Sequence, residues 1–220
     1  MLRLENINAY YGESHILRNV SFSVQPGEVV CLMGRNGVGK TTTLKVITGL
    51  LAARSGRIMF DGTETVKLLD ELGVTHVVWL PDSELGTWHT ALAASKKIRL
   101  IRVCREGEAF GIAAGLHLGG ARPIVVIQCT GFYEAGDALR NVVHDLGLPI
   151  FMIVGYRGYY GGIAGRKDTA ATFLEPIVAA WNLTHKLFTK ESKLNELASF
   201  YRETQEQGRA AAALIAETRT

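Results

Sequence analysis

The sequence predicts an α/β protein: a doubly wound, mostly parallel sheet preceded by a β-rich segment that carries a phosphate-binding loop. Two observations predict it. From residue 63 onward, short apolar runs alternate with helix-period stretches, the pattern of parallel strands joined by crossover helices. Before that, strand-like runs cluster around one helix, and "GRNGVGKTT" (34–42) fits G-x-x-x-x-G-K-[ST] without a mismatch. The expected domains are therefore 1–62 and 63–220.

In the first part the expected strands are "LRLENIN", "VSFSV", "EVVCLM" and "RIMF", with a helix from about Thr41 to Leu51. "QPG" (25–27) and "DG" (61–62) read as turns. In the second part the helices "ETVKLLDEL", "ELGTWHTALAAS", "EAFGIAAGLHL", "AGDALRNVVHDL", "AATFLEPIVAAWN" and "KLNELASFYRETQEQ" separate the strands "HVVWL", "IRLIRV", "IVVIQ", "PIFMIV" and "HKLF". Gly119-Gly120 reads as a helix stop, and context makes the closing run "AAAALIA" a strand.

Composition narrows the function classes. Of 220 residues, 47% are apolar and 20% charged, as in globular proteins. No apolar run approaches the ~20 residues of a membrane span. The N-terminal "MLRLENINAY" has no secretory apolar core, so a cytoplasmic location is expected. The net charge of +3 resides in residues 1–62, with seven Lys/Arg and four Asp/Glu; residues 63–220 hold seventeen of each. Neither part carries a basic stripe, which argues against nucleic acid as a partner. Cys31, Cys104 and Cys129 lie in or beside apolar runs and read as reduced residues in or near a core. The six histidines are widely spaced, so no metal site of protein ligands alone is expected.

The phosphate loop follows the run "EVVCLM" and opens a helix, as its chemistry requires. Gly34, Gly37 and Gly39 let backbone N–H groups converge on phosphate oxygens, with Asn36 between them. Lys40 reaches the β- and γ-phosphates, Thr41 holds Mg²⁺, and Thr42 continues the helix whose N-terminus favours anions. The whole stretch "LRLENINAYYGESHILRNVSFSVQPGEVVCLMGRNGVGKTTTLKVITGLLAARSGRIMFDG" resembles the start of an ABC-transporter ATPase, closest to subunits of branched-chain amino acid and urea importers. That likeness implies ATP at the loop, with Tyr11 stacked on adenine; an ordinary strand-end aromatic is the competing reading of Tyr11. The likeness stops at about residue 62. "LHLGG" (116–120) only echoes the family's signature, and the strand after it ends in no Asp-Glu pair. Without that pair Mg²⁺ is under-held and nothing positions the attacking water, so the sequence predicts nucleotide binding without hydrolysis. The first part is thus an incomplete ABC-type P-loop segment.

In doubly wound sheets, ligands bind beyond the carboxyl ends of the strands. Those ends carry Pro81-Asp82-Ser83, Cys104-Arg105-Glu106, Cys129-Thr130-Gly131 and Gly155-Tyr156-Arg157-Gly158. Glu106, before an apolar Gly/Ala-rich helix, has two readings: a carboxylate favoured by the helix N-terminus, or one aimed into a ligand cleft. "REGEAFGIAAGLHLGGARPIVVIQCTGFYEAGDALRNVVHDLGLPIFMIVGYRG", with "GVTHVVWLPDSEL", resembles the pyrimidine-binding domain of thiamine-diphosphate enzymes. It is most similar to the α-subunits of sulfopyruvate decarboxylases and the matching half of phosphonopyruvate decarboxylases, over about 64–217.

That resemblance selects Glu106, followed by Gly111, Ile112, Ala113 and Gly115, over the neighbouring Glu108. In this family a glutamate hydrogen-bonds a ring nitrogen of the cofactor's aminopyrimidine, which primes the cofactor to decarboxylate 2-oxo acids. The resemblance implies Pro81, Asp82 and Ser83 near the cofactor's reactive face, and Thr130 and Gly131 along its pyrimidine edge. Arg157 and Arg105 either pair with an anionic 2-oxo acid or are solvated rim arginines. "GYYGGIAG" (158–165) is a lid or a plain loop. The family also needs a domain with Gly-Asp-Gly and a later Asn for Mg²⁺ and diphosphate. This sequence has no Gly-Asp-Gly, so a separate diphosphate-binding β-subunit is the expected partner, in a hetero- or homo-oligomer. "QCTGFYEAGDAL" departs from the family's Asn-Ser-Gly-rich stretch and leaves the 2-oxo acid unassigned. The other readings are a truncated ABC-importer ATPase subunit, or a non-catalytic fusion of the two pieces.

Overall fold

The computed structural model describes residues 2–24, 28–48, 50–60, 62–81, 85, 88–163, 165, 167–189 and 192–216. The turn expected at 25–27, and Asp61, Asp82, Ser83 and Glu84, lie outside the described residues. The chain divides into two compact units, residues 1–61 and residues 62–218.

The first unit is a three-stranded antiparallel sheet. Strand β1 (Leu2–Tyr11) lies between β2 (Ser14–Val24) and β3 (Ser55–Phe60). Gly12, at φ 56°, makes the tight β1–β2 turn, a conformation glycine adopts without steric cost. Leu4, Ile7, Ala9 and Leu17 form a small core with Val46 of helix α1 (Lys40–Ile47).

One expected strand is missing. "EVVCLM" forms no strand: residues 28–35 have no regular structure, and Val29 and Met33 are 91% and 86% exposed. The reason is pairing. A strand is stable only where its backbone groups find partners. β1 is already paired on both sides, and the run does not pair with the outer edges of β2 and β3 either. Residues 29–33 make no backbone hydrogen bond among the described residues.

The second unit is a six-stranded parallel sheet with helices on both faces. In chain order come α2 (Gly62–Glu71), β4 (His76–Trp79), α3 (Trp88–Ala94), β5 (Arg99–Arg102), α4 (Glu106–Leu118) and β6 (Pro123–Gln128). Then follow α5 (Cys129–Glu134), α6 (Gly136–Leu139), a π-helical turn (Arg140–Asp145), β7 (Phe151–Gly155) and α7 (Tyr159–Ile163). The chain closes with α8 (Thr169–Ala180), β8 (Thr184–Phe188), α9 (Leu194–Glu206) and β9 (Ala211–Ile215). The strand order is β5-β4-β6-β7-β9-β8, every neighbouring pair parallel.

Strands covered on both faces read as continuous apolar runs, which is why "PIVVIQ" and "FMIVG" are buried almost throughout. Alternate residues serve opposite faces. Ile124 and Val126 pack with α2, α3 and α9; Val125 and Ile127 pack with α4, α5 and α8. The alanines of β9 leave room for Phe200 and Tyr201, which meet Phe151 edge-on at ring separations of 5.8 and 5.0 Å. Gly120, at φ 84°, ends α4 by donating to His117 O, with Ala121 donating to Leu116 O.

Three expectations change. "CTGFYE" is helix α5 rather than a strand-end loop, "GYYGGIAG" contains the short helix α7, and "AGDALRNVVHDL" begins as α6 but continues as a π-turn. The cysteines also separate. Cys129 is buried, while Cys31 and Cys104 are exposed. Cys31 sits in the strand that does not form, and Cys104 lies beyond the end of β5. A thiol reagent added to the native chain is expected to modify Cys31 and Cys104 readily and Cys129 only as the sheet unfolds. Peptide mapping after timed alkylation checks this; equal rates at all three would contradict the burial.

Candidate functional site

The first unit retains a shaped phosphate loop. Gly34, Gly37 and Gly39 have φ of 148°, 87° and 95°, values L side chains rarely adopt. Gly39 is required twice over, because a Cβ there would lie 2.8 Å from Leu17 Cδ2. It is the N-cap of α1. The Thr43 hydroxyl donates to Gly39 O at 3.0 Å and ties the helix to the loop. Lys40 Nζ donates to Gly34 O (2.7 Å) and Arg35 O (2.8 Å), so the ammonium lies across the loop. Thr41 and Asn36 are exposed, while Thr42 is buried. Tyr11 is exposed at the end of β1, with Lys45 Nζ 5.6 Å from its ring centre.

In the second unit the strand order reverses at β4, which lies between β5 and β6. The crevice beyond its carboxyl end is where ligands bind in such sheets. Glu106 opens α4 beside this crevice, half-buried. Its carboxylate lies against the backbone of Gly131 in α5, where any Cβ would collide with it. Glu106 and Gly131 are therefore brought together. Among the described residues the Glu106 carboxylate has no hydrogen-bond or ion-pair partner. Glu108 is engaged otherwise: its Oε2 accepts the Cys104 amide at 3.2 Å and closes the first turn of α4.

The rest of the expected set is dispersed. Thr130 is exposed and donates to Gln128 Oε1 at 2.9 Å. Pro81 is exposed after β4, and Asp82 and Ser83 lie outside the described residues. Arg105 pairs through Nε with Glu134 Oε1, and Arg157 Nε lies 3.7 Å from Asp168 Oδ2. Both candidate substrate arginines thus face carboxylates of this chain.

Residues that the sequence reading passed over surround them. Glu134 also accepts the Gly107 amide at 3.3 Å, and the Arg105 hydrogen bond holds its carboxyl below the usual range. Tyr156, buried at the end of β7, places its hydroxyl 3.0 Å from Glu175 Oε1; burial first, then this carboxylate, pushes its pKa up. Burial likewise raises the Cys129 thiol. No sequence signal marks these pairs, because each joins elements distant in the chain. Among the described residues, no group of three or more His, Cys, Asp or Glu is disposed to hold a metal. No helix among them is long and apolar enough to cross a membrane.

Comparison with known proteins places the two parts differently. Residues 17–109, less than half of the chain, match the ABC transporter family model. The match runs past residue 62, where the likeness read from the sequence stops. An uncharacterized amino-acid ABC transporter ATP-binding protein of Escherichia coli is 47% identical over 64 residues, 29% of this chain and 25% of that protein. A lantibiotic transport ATP-binding protein of Streptococcus pyogenes is 44% identical over 64 residues, 29% of this chain and 28% of that one. The chain thus spans about a quarter of the length of these relatives. Among solved structures, benzoylformate decarboxylase of Polynucleobacter necessarius aligns with a TM-score of 0.57 at 17% identity, covering 74% of this chain and 32% of that one.

That share exceeds what residues 1–61 can supply, so the likeness draws on the parallel sheet; at such identity it speaks for the fold alone. The chain therefore carries a segment similar to ABC-transporter ATP-binding proteins together with an α/β fold built on a six-stranded parallel sheet. The two sequence relatives named are transporter ATP-binding proteins, whereas the decarboxylase is similar in fold alone.

Two glycines test the Glu106 geometry. Gly131→Ala forces a methyl into the Glu106 side chain and is expected to destabilise the second unit by about 1–3 kcal/mol. Gly111→Ala, on the exposed side of α4 with no atom within 4 Å, is expected to stabilise it by roughly 0.5–1 kcal/mol. Urea melts check both; an unaffected Gly131→Ala midpoint would refute the contact.

Proposed function

We propose that this chain is an ATP-binding protein of the ABC-transporter type, and that it holds the nucleotide without hydrolysing it. The observation that carries this reading is the phosphate loop: three glycines in conformations that suit converging amides, and Lys40 bonded across the loop to two carbonyls. Those carbonyls take the ammonium as a phosphate oxygen would, and the donors of loop, lysine and helix N-terminus together fit a β/γ-phosphate. Thr41, exposed at the start of α1, would hold Mg²⁺; Tyr11 would meet the base once Lys45 moves off its ring. The reading implies a cytoplasmic protein of importer type, with membrane-domain subunits as partners. Turnover is excluded from the proposal because none of the described strands ends in an Asp-Glu pair to hold Mg²⁺ and orient water; Asp70-Glu71 lies inside helix α2, with Asp70 paired to Lys97.

A second reading is favoured by one observation, the partnerless, half-buried Glu106 carboxylate against Gly131. In it, residues 63–220 are the pyrimidine-side subunit of a thiamine-diphosphate-dependent decarboxylase acting on an anionic 2-oxo acid such as sulfopyruvate or phosphonopyruvate. Glu106 would share a proton with the aminopyrimidine. The residues present fit only that end of the cofactor. Residues 63–220 contain no Gly-Asp-Gly to hold diphosphate and Mg²⁺, so a diphosphate-binding β-subunit would have to complete the site. The cofactor supplies the electron sink for CO₂ loss. Arg105 or Arg157 would reach a substrate anion only after leaving Glu134 or Asp168.

One set of thermal melts weighs both readings, since a ligand bound only to the folded state stabilises it, by about 2.7 kcal/mol at a hundredfold its Kd. ATP–Mg²⁺ is expected to raise the transition of the first unit, Lys40→Ala to abolish the shift, and phosphate release to stay at background. No shift, or one that survives Lys40→Ala, refutes nucleotide binding; Lys40-dependent phosphate release refutes the absence of turnover. For the second reading, the chain co-expressed with a diphosphate-binding subunit is expected to release CO₂ from a 2-oxo acid, and Glu106→Gln to release none. Retained release in that variant refutes the role of Glu106.

A further inference from the structure

The outer edge of β5 borders a groove lined by four basic side chains. β5 ends the six-stranded order and, among the described residues, pairs only with β4. The amides of Arg99 and Val103 donate to Thr75 O (2.9 Å) and Trp79 O (3.1 Å). In a parallel strand, the peptide groups of successive residues face opposite sides. The N–H and C=O groups of Leu100 and Arg102 therefore point away from the sheet. They face a groove of about 700 Å³, whose lining includes both residues, with Leu92 and Ile98 on its apolar side.

The groove is strongly basic. Lys96, Lys97, Arg99 and Arg102 all line it, and no Asp or Glu does. Lys97 is paired with Asp70 at 2.8 Å. Lys96, Arg99 and Arg102 have no ion pair among the described residues. Residues 63–220 are neutral in sum, so this is a local concentration of charge and not a general property of the unit.

An open edge flanked by cations repels a second copy of itself, which is one way sheets avoid edge-to-edge association. The same cations attract an extended chain of opposite charge, and the outward peptide groups give it strand-like hydrogen bonds. We propose that the β5 edge binds an extended acidic peptide segment of a partner by strand addition, its carboxylates meeting Lys96, Arg99 and Arg102. The inference rests on the second unit alone and holds whichever ligand either unit takes.

The test uses the full chain and a short fluorescein-labelled peptide alternating valine and glutamate, read by fluorescence anisotropy. Three comparison probes accompany it: the same peptide with prolines replacing the central valines, its lysine–valine counterpart, and a single-stranded oligonucleotide. Saturable binding of the glutamate peptide is expected, weakened at least about tenfold by the prolines, which keep the charge but remove N–H donors. The double variant Arg99→Glu/Arg102→Glu, both exposed and outside the core, is expected to lose binding by about tenfold or more. Lys167→Glu, an exposed charge elsewhere, is expected to leave it unchanged. On binding, the Leu100 and Arg102 amides gain protection from hydrogen exchange. Equal affinity for the proline peptide, tighter binding of the oligonucleotide or the lysine peptide, or no binding at all would overturn the proposal.

Discussion

A β-strand persists only where its peptide groups find partners, and this one requirement divides the chain. In the second unit six strands satisfy each other in parallel, and helices cover both faces. In the first unit β1 takes a neighbour on each side, and the run that leads into the phosphate loop pairs neither with it nor with the edge strands β2 and β3. The consequence is visible at Val29 and Met33, apolar side chains that stand in solvent. Such a run is buried when it is a central strand and is an open template when it is not.

The loop itself survives this loss because its shape is local. Three glycines set the backbone, Gly39 seats α1 on Leu17, and Val46 anchors the helix to the small core. Phosphate recognition needs little more than that, since backbone amides and one lysine do the binding. Turnover needs more, namely carboxylates delivered by strands of the same sheet. The proposal of nucleotide binding without turnover rests on this difference.

Much of the architecture was legible because parallel sheets write themselves plainly: buried strands read as unbroken apolar runs, and the helices between them keep a helical period. The runs that became β6 and β7 show this, while the alanine-rich run of β9 was placed as a strand by its context alone. "EVVCLM" misled for the same reason, since the pattern reports what a segment prefers and not whether a partner exists. "CTGFYE" hid a helix behind β-prone residues, which tertiary packing of Phe132 and Gly131 overrides. At the site, the likeness to ABC ATP-binding proteins was readable from one contiguous stretch. The pairing of Arg105 with Glu134, and of Glu106 with Gly131, was not, because each contact joins segments more than twenty residues apart. The free edge of β5 was equally silent; "KKIRLIR" (96–102) shows its four cations in one short run, but only the strand order places them along an open edge.

Native-state hydrogen exchange tests the central claim most directly, that the phosphate loop is held by local geometry and not by a strand. The account predicts fast exchange at residues 29–33, slower exchange at the α1 amides that hydrogen-bond within the helix, and the slowest exchange in β6 and β7. Protection of residues 29–33 comparable to that of β6 and β7 would contradict it, because those amides would then have the partners that the structure denies them.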